Sequence, residues 1–407
     1  MTTTTTPRPA PVDTQPWTRY AAMAAVLFTV IAGTNIPSPL YKQYAHQWGF
    51  SPTVLTLLFS TYAAVLVVAL LTASRVTGRL GYRVSLIGAL SIAALASAVF
   101  ALASNTAWLF LARGLQGAAV GIASGALTAT IVALHPKSDG HSASAVVTAM
   151  TAFGGGLGPV ICGVFAQFLP APLHTIYWVE AALLILGVLV VATIPPYLGK
   201  STTGPATARP ALPTTEPTSF LTAAAGTFLA WGVVALFLTI APSLIADLTG
   251  DTHVLTAGIV AGVVLIASGI AQITLARLDT HRATIGGLVL LALGLAGLIG
   301  ATFLAQPAAV IAAAIIAGVG HGLTFMAALR TTNALTENSD RRPRVLSSFY
   351  IATYGGVGIP VIGAGIVATA TDTTFAVRIF AVVTIIALVA LLTAVTTIRR
   401  TQRAQHD

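Results

Sequence analysis

The chain has 407 residues, of which 8% are charged and 56% hydrophobic, and its mean hydropathy is +0.88. Soluble domains carry about 25% charged residues, so this composition excludes a soluble enzyme, a disordered chain and a nucleic-acid binder. The formal net charge of +9 falls on short loops between apolar runs, which is not a nucleic-acid footprint. One cysteine, Cys162, leaves no disulfide framework and no cysteine-rich metal site.

A hydrocarbon core ~30 Å thick is crossed by roughly 20 apolar residues of helix. That length predicts twelve spans, at 19–40, 53–73, 84–104, 108–133, 143–166, 175–195, 219–245, 254–275, 284–304, 308–330, 345–369 and 374–397. Only helices and closed barrels satisfy the backbone inside lipid. The runs are too long for barrel strands, so the expected class is an all-α integral membrane protein of twelve transmembrane helices. Span 1 follows Arg8 and Arg19 and has an apolar centre, as a signal peptide does. It runs on through Asn35-Ile36-Pro37-Ser38-Pro39 to Tyr41 and is read as an uncleaved first helix.

The stretch 196–218 is rich in Thr and Pro and reads as a flexible linker. The expected organisation is a disordered tail at 1–18, a six-helix bundle at 19–195, the linker at 196–218, a second bundle at 219–397 and a tail at 398–407. Lys and Arg mark the cytoplasmic side of a membrane protein. With both termini inside, seventeen of the twenty Lys and Arg lie in inner segments. The expectation is a multi-pass plasma-membrane protein with cytoplasmic termini and tails, acting as a monomer without a cofactor or metal.

The two halves repeat. Residues 154–163 read GGGLGPVICG and residues 355–364 read GGVGIPVIGA, which places Pro159 and Pro360 201 positions apart. GAAVG at Gly117 and GVGHG at Gly318 share that offset. Two matches at one offset argue for duplication into two pseudo-symmetric six-helix bundles. Paired bundles are a transporter architecture, with the substrate near the midplane between them.

Three segments now carry a family resemblance. The loop after span 2, SRVTGRLGYR at 74–83, keeps Arg79, Gly81 and Arg83, with Gly78 at a position where an acid is usual. RGLQG at 113–117 continues to Gly121, and the run at 154–163 places Gly154, Gly158, Pro159 and Gly163. The whole chain resembles the major facilitator superfamily, and most of all its twelve-helix drug:proton antiporters. The resemblance implies the major facilitator fold, with substrate and protons moving by alternating access. It assigns Arg113 to proton coupling. It gives the 74–83 loop to a cytoplasmic gate; the 201-residue offset sets Asp279, followed by Arg282, at the place of Gly78, so the second half is expected to carry the acid that the first half lacks. It implies that spans 5 and 8, with Gly258 and Gly262, meet where the halves touch.

Several residues invite closer reading on physical grounds. An arginine at the centre of a lipid-facing helix costs ~2.5–3.5 kcal/mol, so Arg113 faces protein, water or a counter-charge, or else snorkels outward. Asn35, Arg113 and Glu180 fall in one layer, roughly 8–10 Å outward of the midplane at ~1.5 Å per residue, which suggests a hydrogen-bonded cluster. Glu180 either offsets Arg113, titrates, or packs at an interface. His321, with an ordinary pKa of ~6.5, either carries the coupling proton or bonds a helix carbonyl. Gln116 adjoins Arg113 in the cavity-facing motif. Tyr62 and Trp231 offer ring faces to a flat or cationic amphiphile, or pack. Span 1 holds Thr29, Thr34 and Asn35 where such antiporters often have an acid.

Gly199-Lys200-Ser201 echoes a phosphate loop, but residue 194 is Ile, so no ATP site is expected. Three classes remain. The first is a proton-coupled antiporter exporting a small amphiphilic molecule or drug. The second is a proton-coupled uptake carrier or facilitator for a small nutrient such as a sugar or organic acid. The third, a membrane enzyme or receptor, lacks any convergent catalytic set.

Overall fold

The computed structural model describes residues 17–195, 210–250, 253–337 and 339–404. The tail at 1–16 and residues 196–209 of the linker lie outside them. The described residues form α1 (Trp17–Asn35), α2 (Tyr41–Trp48), α3 (Pro52–Ala101), α4 (Thr106–Ala133), α5 (Gly140–Phe168), α6 (Thr175–Ala192), α7 (Pro217–Thr239), α8 (Ala241–Thr249), α9 (Val254–Thr274), α10 (Thr280–Leu304), α11 (Pro307–Ala334), α12 (Arg342–Ala370) and α13 (Thr373–Ala404). A 3-10 turn at Ser38–Leu40 joins α1 to α2.

Eleven described helices are long and apolar enough to cross a membrane. The twelfth crossing is inside α3. Its 50 residues would reach about 75 Å at 1.5 Å per residue, more than twice a bilayer core. Gly81, at φ 77° and ψ 163°, breaks it into two crossings. That conformation is open essentially to glycine alone, which gives a local reason for Gly81 in the 74–83 loop. The helix also runs on where a tail was expected at 398–407, because α13 continues to Ala404. Residues 396–404 contain neither Gly nor Pro, so nothing there stops a helix.

Exposed large apolar residues occur on every long described helix and are frequent on α6 and α13. Leu183, Ile185, Leu186 and Leu189 lie on α6, and Val382, Val383, Ile386 and Val389 on α13. In lipid these side chains need no cover.

The faces of the molecule differ. One face carries Trp17 and the end of α13, and is called the terminal face below. At the opposite, far face a single buried cluster crosses between the halves, joining Leu40, Tyr41 and Phe100 to Phe237, Leu244 and Val260. Lys42 Nζ meets Asp247 Oδ1 at 2.8 Å across it. Thr53 Oγ1 donates to Gly365 O (3.1 Å), and Ser60 Oγ reaches Gly358 O at 3.3 Å. Toward the terminal face the clusters separate. One holds Leu86, Leu90, Leu127 and Val191 of the first half. Two others hold Phe220 and Phe349, and Ala283 and Leu323, of the second. The halves are sealed at the far face and part toward the terminal face.

Gly81→Ala is expected to lower stability by ~1–3 kcal/mol, the cost of a strained backbone residue. Gly78 is helical, and a methyl group there meets open space. Gly78→Ala is therefore expected to be neutral or to stabilise by up to ~1 kcal/mol. Thermal unfolding of the two variants in detergent checks the contrast.

Candidate functional site

The site begins with a proline. In an α-helix the carbonyl of residue i accepts from the N–H of residue i+4, and proline has none. Pro37 therefore strips Gly33 O of its helical donor and α1 ends at Asn35. The last carbonyls of a helix need outside partners, and here they are buried. Gln116 Nε2 donates to Gly33 O at 2.8 Å, and Arg113 Nη1 donates to Thr34 O at 2.7 Å. Two residues of the RGLQG segment thus cap the end of α1.

Arg113 is fully buried and does not snorkel. Nη1 also donates to Gln116 Oε1 at 2.8 Å. Nε and Nη2 reach Leu58 O and Phe59 O, each at 3.4 Å. Its guanidinium lies 4.6 Å from the Tyr62 ring and 5.4 Å from the Phe59 ring. The negative end of the α1 dipole adds to this, so carbonyls and ring faces hold the cation. Among the described residues, Arg113 makes no ion pair.

A second proline repeats the logic. Pro159 lies inside α5 and removes the donor to Gly155 O. Asn35 Nδ2 takes that carbonyl at 3.0 Å. The broken end of α1 is thereby bound to α4 through Arg113 and Gln116, and to α5 through Asn35.

The expected mutual cluster of Asn35, Arg113 and Glu180 does not form. Glu180 is buried on the other side of the same segment, so close that a methyl group on Gly33 would overlap its Oε1. Oε2 has no hydrogen-bond partner. The three residues share the segment Gly33–Asn35 without bonding to one another.

The glycines divide by neighbour. A methyl group on Gly117 would overlap Tyr62 O, and one on Gly121 would overlap Ala69 Cβ, so this pair seats α4 on α3 within one half. Gly154 and Gly158 seat α5 on α1 at Phe28 O and Ala32 O, again within one half. The contact between halves uses the other side of α5. A methyl group on Gly258 of α9 would overlap Pro159 O, Gly262 lies against Gly156 O, and Gly163 lies against Leu255 Cα. Gly156, which sequence reasoning did not single out, also belongs to that seam. Its place between two sequence-flagged glycines is the signal that could have found it.

In the second half His321 is 1% exposed. Its Nδ1 and Ser268 Oγ are 2.8 Å apart, and Gln272 Nε2 donates to the same hydroxyl at 3.1 Å. The partner is a side chain, not the helix carbonyl that the sequence allowed. Trp231 stands edge-on to the imidazole at 4.7 Å, and Phe325 lies parallel to it at 5.9 Å. His321 Nε2 and Trp231 Nε1 have no hydrogen-bond partner. Tyr62 on α3 and Tyr354 on α12 each touch both the far-face cluster and the cluster of the first half. They mark the level at which the halves part. Ser268, Gln272 and Tyr354 were not singled out by sequence, where they look like ordinary polar residues in apolar helices.

At the terminal face Arg79 is exposed, and Arg83 Nη2 donates to Ala192 O within its own half. Asp279 accepts from the N–H groups of His281 (3.0 Å) and Arg282 (3.1 Å), capping α10. In this open arrangement Arg83 and the Asp279 cap hold elements within their own halves.

The model of the Major Facilitator Superfamily matches residues 23–336. Two curated relatives, both described as probable multidrug-efflux transporters, come from two strains of Mycobacterium tuberculosis. Each is 34% identical over 139 residues, which is 34% of this chain and 28% of the relative. Two solved structures share the fold. One is a bacterial homologue of the human lysosomal transporter Spinster, inward-facing and unoccupied, with TM-score 0.75 and 14% identity over 96% of this chain and 98% of that one. The other is a mutant of the nucleoside transporter NupG, with TM-score 0.74 and 13% identity over 92% and 99%.

If Asn35 serves the carbonyl that Pro159 frees, the two residues are coupled. Asn35→Leu is expected to cost ~1–3 kcal/mol in the native background, by leaving a buried carbonyl unsatisfied. In a Pro159→Ala background the helix supplies its own donor and the cost shrinks. A double-mutant cycle by unfolding in detergent is expected to give ~0.5–3 kcal/mol of coupling. Additive effects would break the link.

Proposed function

The chain belongs to the Major Facilitator Superfamily, and we propose that it is a multi-pass membrane transporter that exports a small amphiphilic organic molecule in exchange for protons. Alternating access is the mechanism in this reading. The observation that carries it is the asymmetry of packing: one cluster bridges the halves at the far face, and separate clusters stand apart toward the terminal face. The positive-charge bias of the loops supports reading the terminal face as cytoplasmic. The arrangement is then open inward.

Export is supported by the curated relatives and by the glycine–proline run of α5, whose resemblance points to antiporters. The rings of Trp231, Phe325 and Tyr62 offer faces to an amphiphile, and the unpartnered nitrogens of His321 and Trp231 offer it hydrogen bonds. Substrate then engages the second half, while the proton engages the first.

Glu180 is the acid we assign to proton exchange. Its carboxyl is buried beside the α1 break with one oxygen unpartnered, opposite the cation of Arg113. Losing a proton there creates a buried anion, which is costly unless it is paired or solvated. Protonation and deprotonation therefore favour different packings around Gly33. A ligand shifts such an equilibrium only through unequal affinity for its two states, and here proton and substrate pull in opposite senses. Without an acid in span 1, a facilitator is the second reading.

Purified protein in liposomes with a lumenal pH dye separates these readings, using cationic dyes, antibiotics and organic acids as substrates. The expected result is substrate-dependent proton movement by the native chain. Glu180→Gln is expected to abolish it while substrate counterflow survives. His321→Gln is expected to change the substrate preference and keep the coupling. Substrate flux without proton movement would establish the facilitator, and coupling that survives Glu180→Gln would remove Glu180 from this role.

A further inference from the structure

Lys42 and Arg378 stand at the far face, where the charge bias leaves few cations. Lys42 is paired with Asp247. Arg378, in the second turn of α13, makes no ion pair among the described residues. It is held instead by the last turn of α10, which packs beside α13. Its Nε donates to Thr302 Oγ1 at 2.8 Å, and its guanidinium carbon lies 4.1 Å from the centre of the Phe303 ring. The Thr302 hydroxyl sends its own proton to Ile299 O (2.7 Å), so it meets the arginine with a lone pair. Asp372, just before α13, accepts from the N–H of Phe375 at 2.8 Å and leaves the arginine alone.

These contacts use one N–H and one face of the guanidinium. Its two Nη groups carry four more N–H donors, which have no partner among the described residues and are not sealed from the surface. An arginine that only snorkels keeps its head loose in water. This one is fixed by a hydrogen bond and a ring, with its two-pronged edge free. The surface around it is apolar: Phe303 is 72% exposed, and Leu304, Phe375 and Ile379 are exposed with it. The setting is an oriented cation at the rim of a surface that lipid tails cover.

The first half supplies the internal comparison. The 201-residue offset sets Tyr177 at the place of Arg378, Ala101 at that of Thr302 and His174 at that of Phe375. There His174 Nδ1 meets Ala101 O, and Tyr177 is buried and stacked on Phe100 at 4.8 Å. The first half closes this corner with its own side chains and shows no cation there. The fold therefore does not require an arginine at this corner.

We propose that the end of α10 and the start of α13 bind the phosphate of an anionic phospholipid in the leaflet at the far face. The free Nη edge of Arg378 donates to two phosphate oxygens, the pairing for which a guanidinium is shaped. The acyl chains lie on Phe303, Leu304, Phe375 and Ile379. Phosphatidylglycerol brings a net negative charge to a cation without a carboxylate, whereas phosphatidylethanolamine neutralises its phosphate with its own ammonium. A free phosphate ion has no chains to lay on the apolar rim, so the lipid is the occupant that fits both parts.

The test uses the full chain, reconstituted in an equal mixture of phosphatidylglycerol and phosphatidylethanolamine with the same acyl chains. Native mass spectrometry reads the lipid that stays bound. The native chain is expected to retain phosphatidylglycerol in preference. Arg378→Gln, which can still donate to Thr302, is expected to weaken that retention about tenfold, as losing hydrogen bonds to a charged group does. Arg277→Gln removes the same charge from an exposed position after α9 and is expected to retain the lipid as the native chain does. Added phosphatidylglycerol is expected to raise the unfolding temperature of the native chain more than that of Arg378→Gln. Phe303→Leu keeps the arginine and removes the ring that orients it, and is also expected to weaken retention, which keeps the site testable if Arg378→Gln folds poorly. The proposal is overturned if the native chain shows no preference, if Arg378→Gln and Phe303→Leu both retain the lipid as the native chain does, or if Arg277→Gln loses as much as Arg378→Gln.

Discussion

Inside a bilayer every backbone carbonyl needs a donor, and two prolines in the first half each take one away. Pro37 frees Gly33 O and Pro159 frees Gly155 O, both in buried surroundings. Gln116 and Asn35 answer them, and Arg113 answers the neighbouring Thr34 O. Three side chains with no carboxylate among them thereby fasten α1, α4 and α5 into one unit. The arginine that looks expensive in lipid is held by carbonyls left open where α1 ends. A carboxylate partner would satisfy its charge but not those carbonyls.

That unit faces the seam at which the halves meet. Pro159 contributes to both, because its own carbonyl lies against Gly258 of α9. α5 therefore presents one side to α1 and the other to α9, with small residues on both. A backbone-to-backbone seam of this kind has few interdigitated side chains to disengage, so the halves can roll along it. The polar contacts that seal the far face are of the same light kind. Lys42–Asp247 is about half exposed, and exposed ion pairs are worth only ~0.2–1 kcal/mol. The bridging apolar cluster adds close packing across the halves, the kind of contact on which helix association in lipid rests.

Much of this was legible in the sequence, for reasons that differ by feature. The spans followed from length and hydropathy, because the bilayer sets one ruler for all of them. The duplication followed from the 201-residue offset of Pro159 and Pro360. Apart from spans 5 and 8, whose meeting the family resemblance implied, the pairing of helices was not legible. A stripe such as Gly117 and Gly121 says that another backbone approaches but not which one, and the approach proved to be α3 within the same half. Depth arithmetic placed Asn35, Arg113 and Glu180 in one layer. Depth fixes height along a helix and not the direction a side chain takes around it, so the three share a segment instead of bonding together. The freed carbonyls were readable by counting four residues back from Pro37 and Pro159, and their partners needed the fold.

The central claim is that the two halves exchange which face is sealed while the α1–α4–α5 unit stays whole. Double electron–electron resonance in nanodiscs tests it most directly. One spin-label pair at the terminal face, Ser144 with Ile273, is compared with one at the far face, Gln47 with Gln306, all on exposed positions. The account predicts two distances in each pair, with opposite shifts in population as pH or substrate changes. A single distance in each pair under every condition, or pairs that lengthen together, would contradict it.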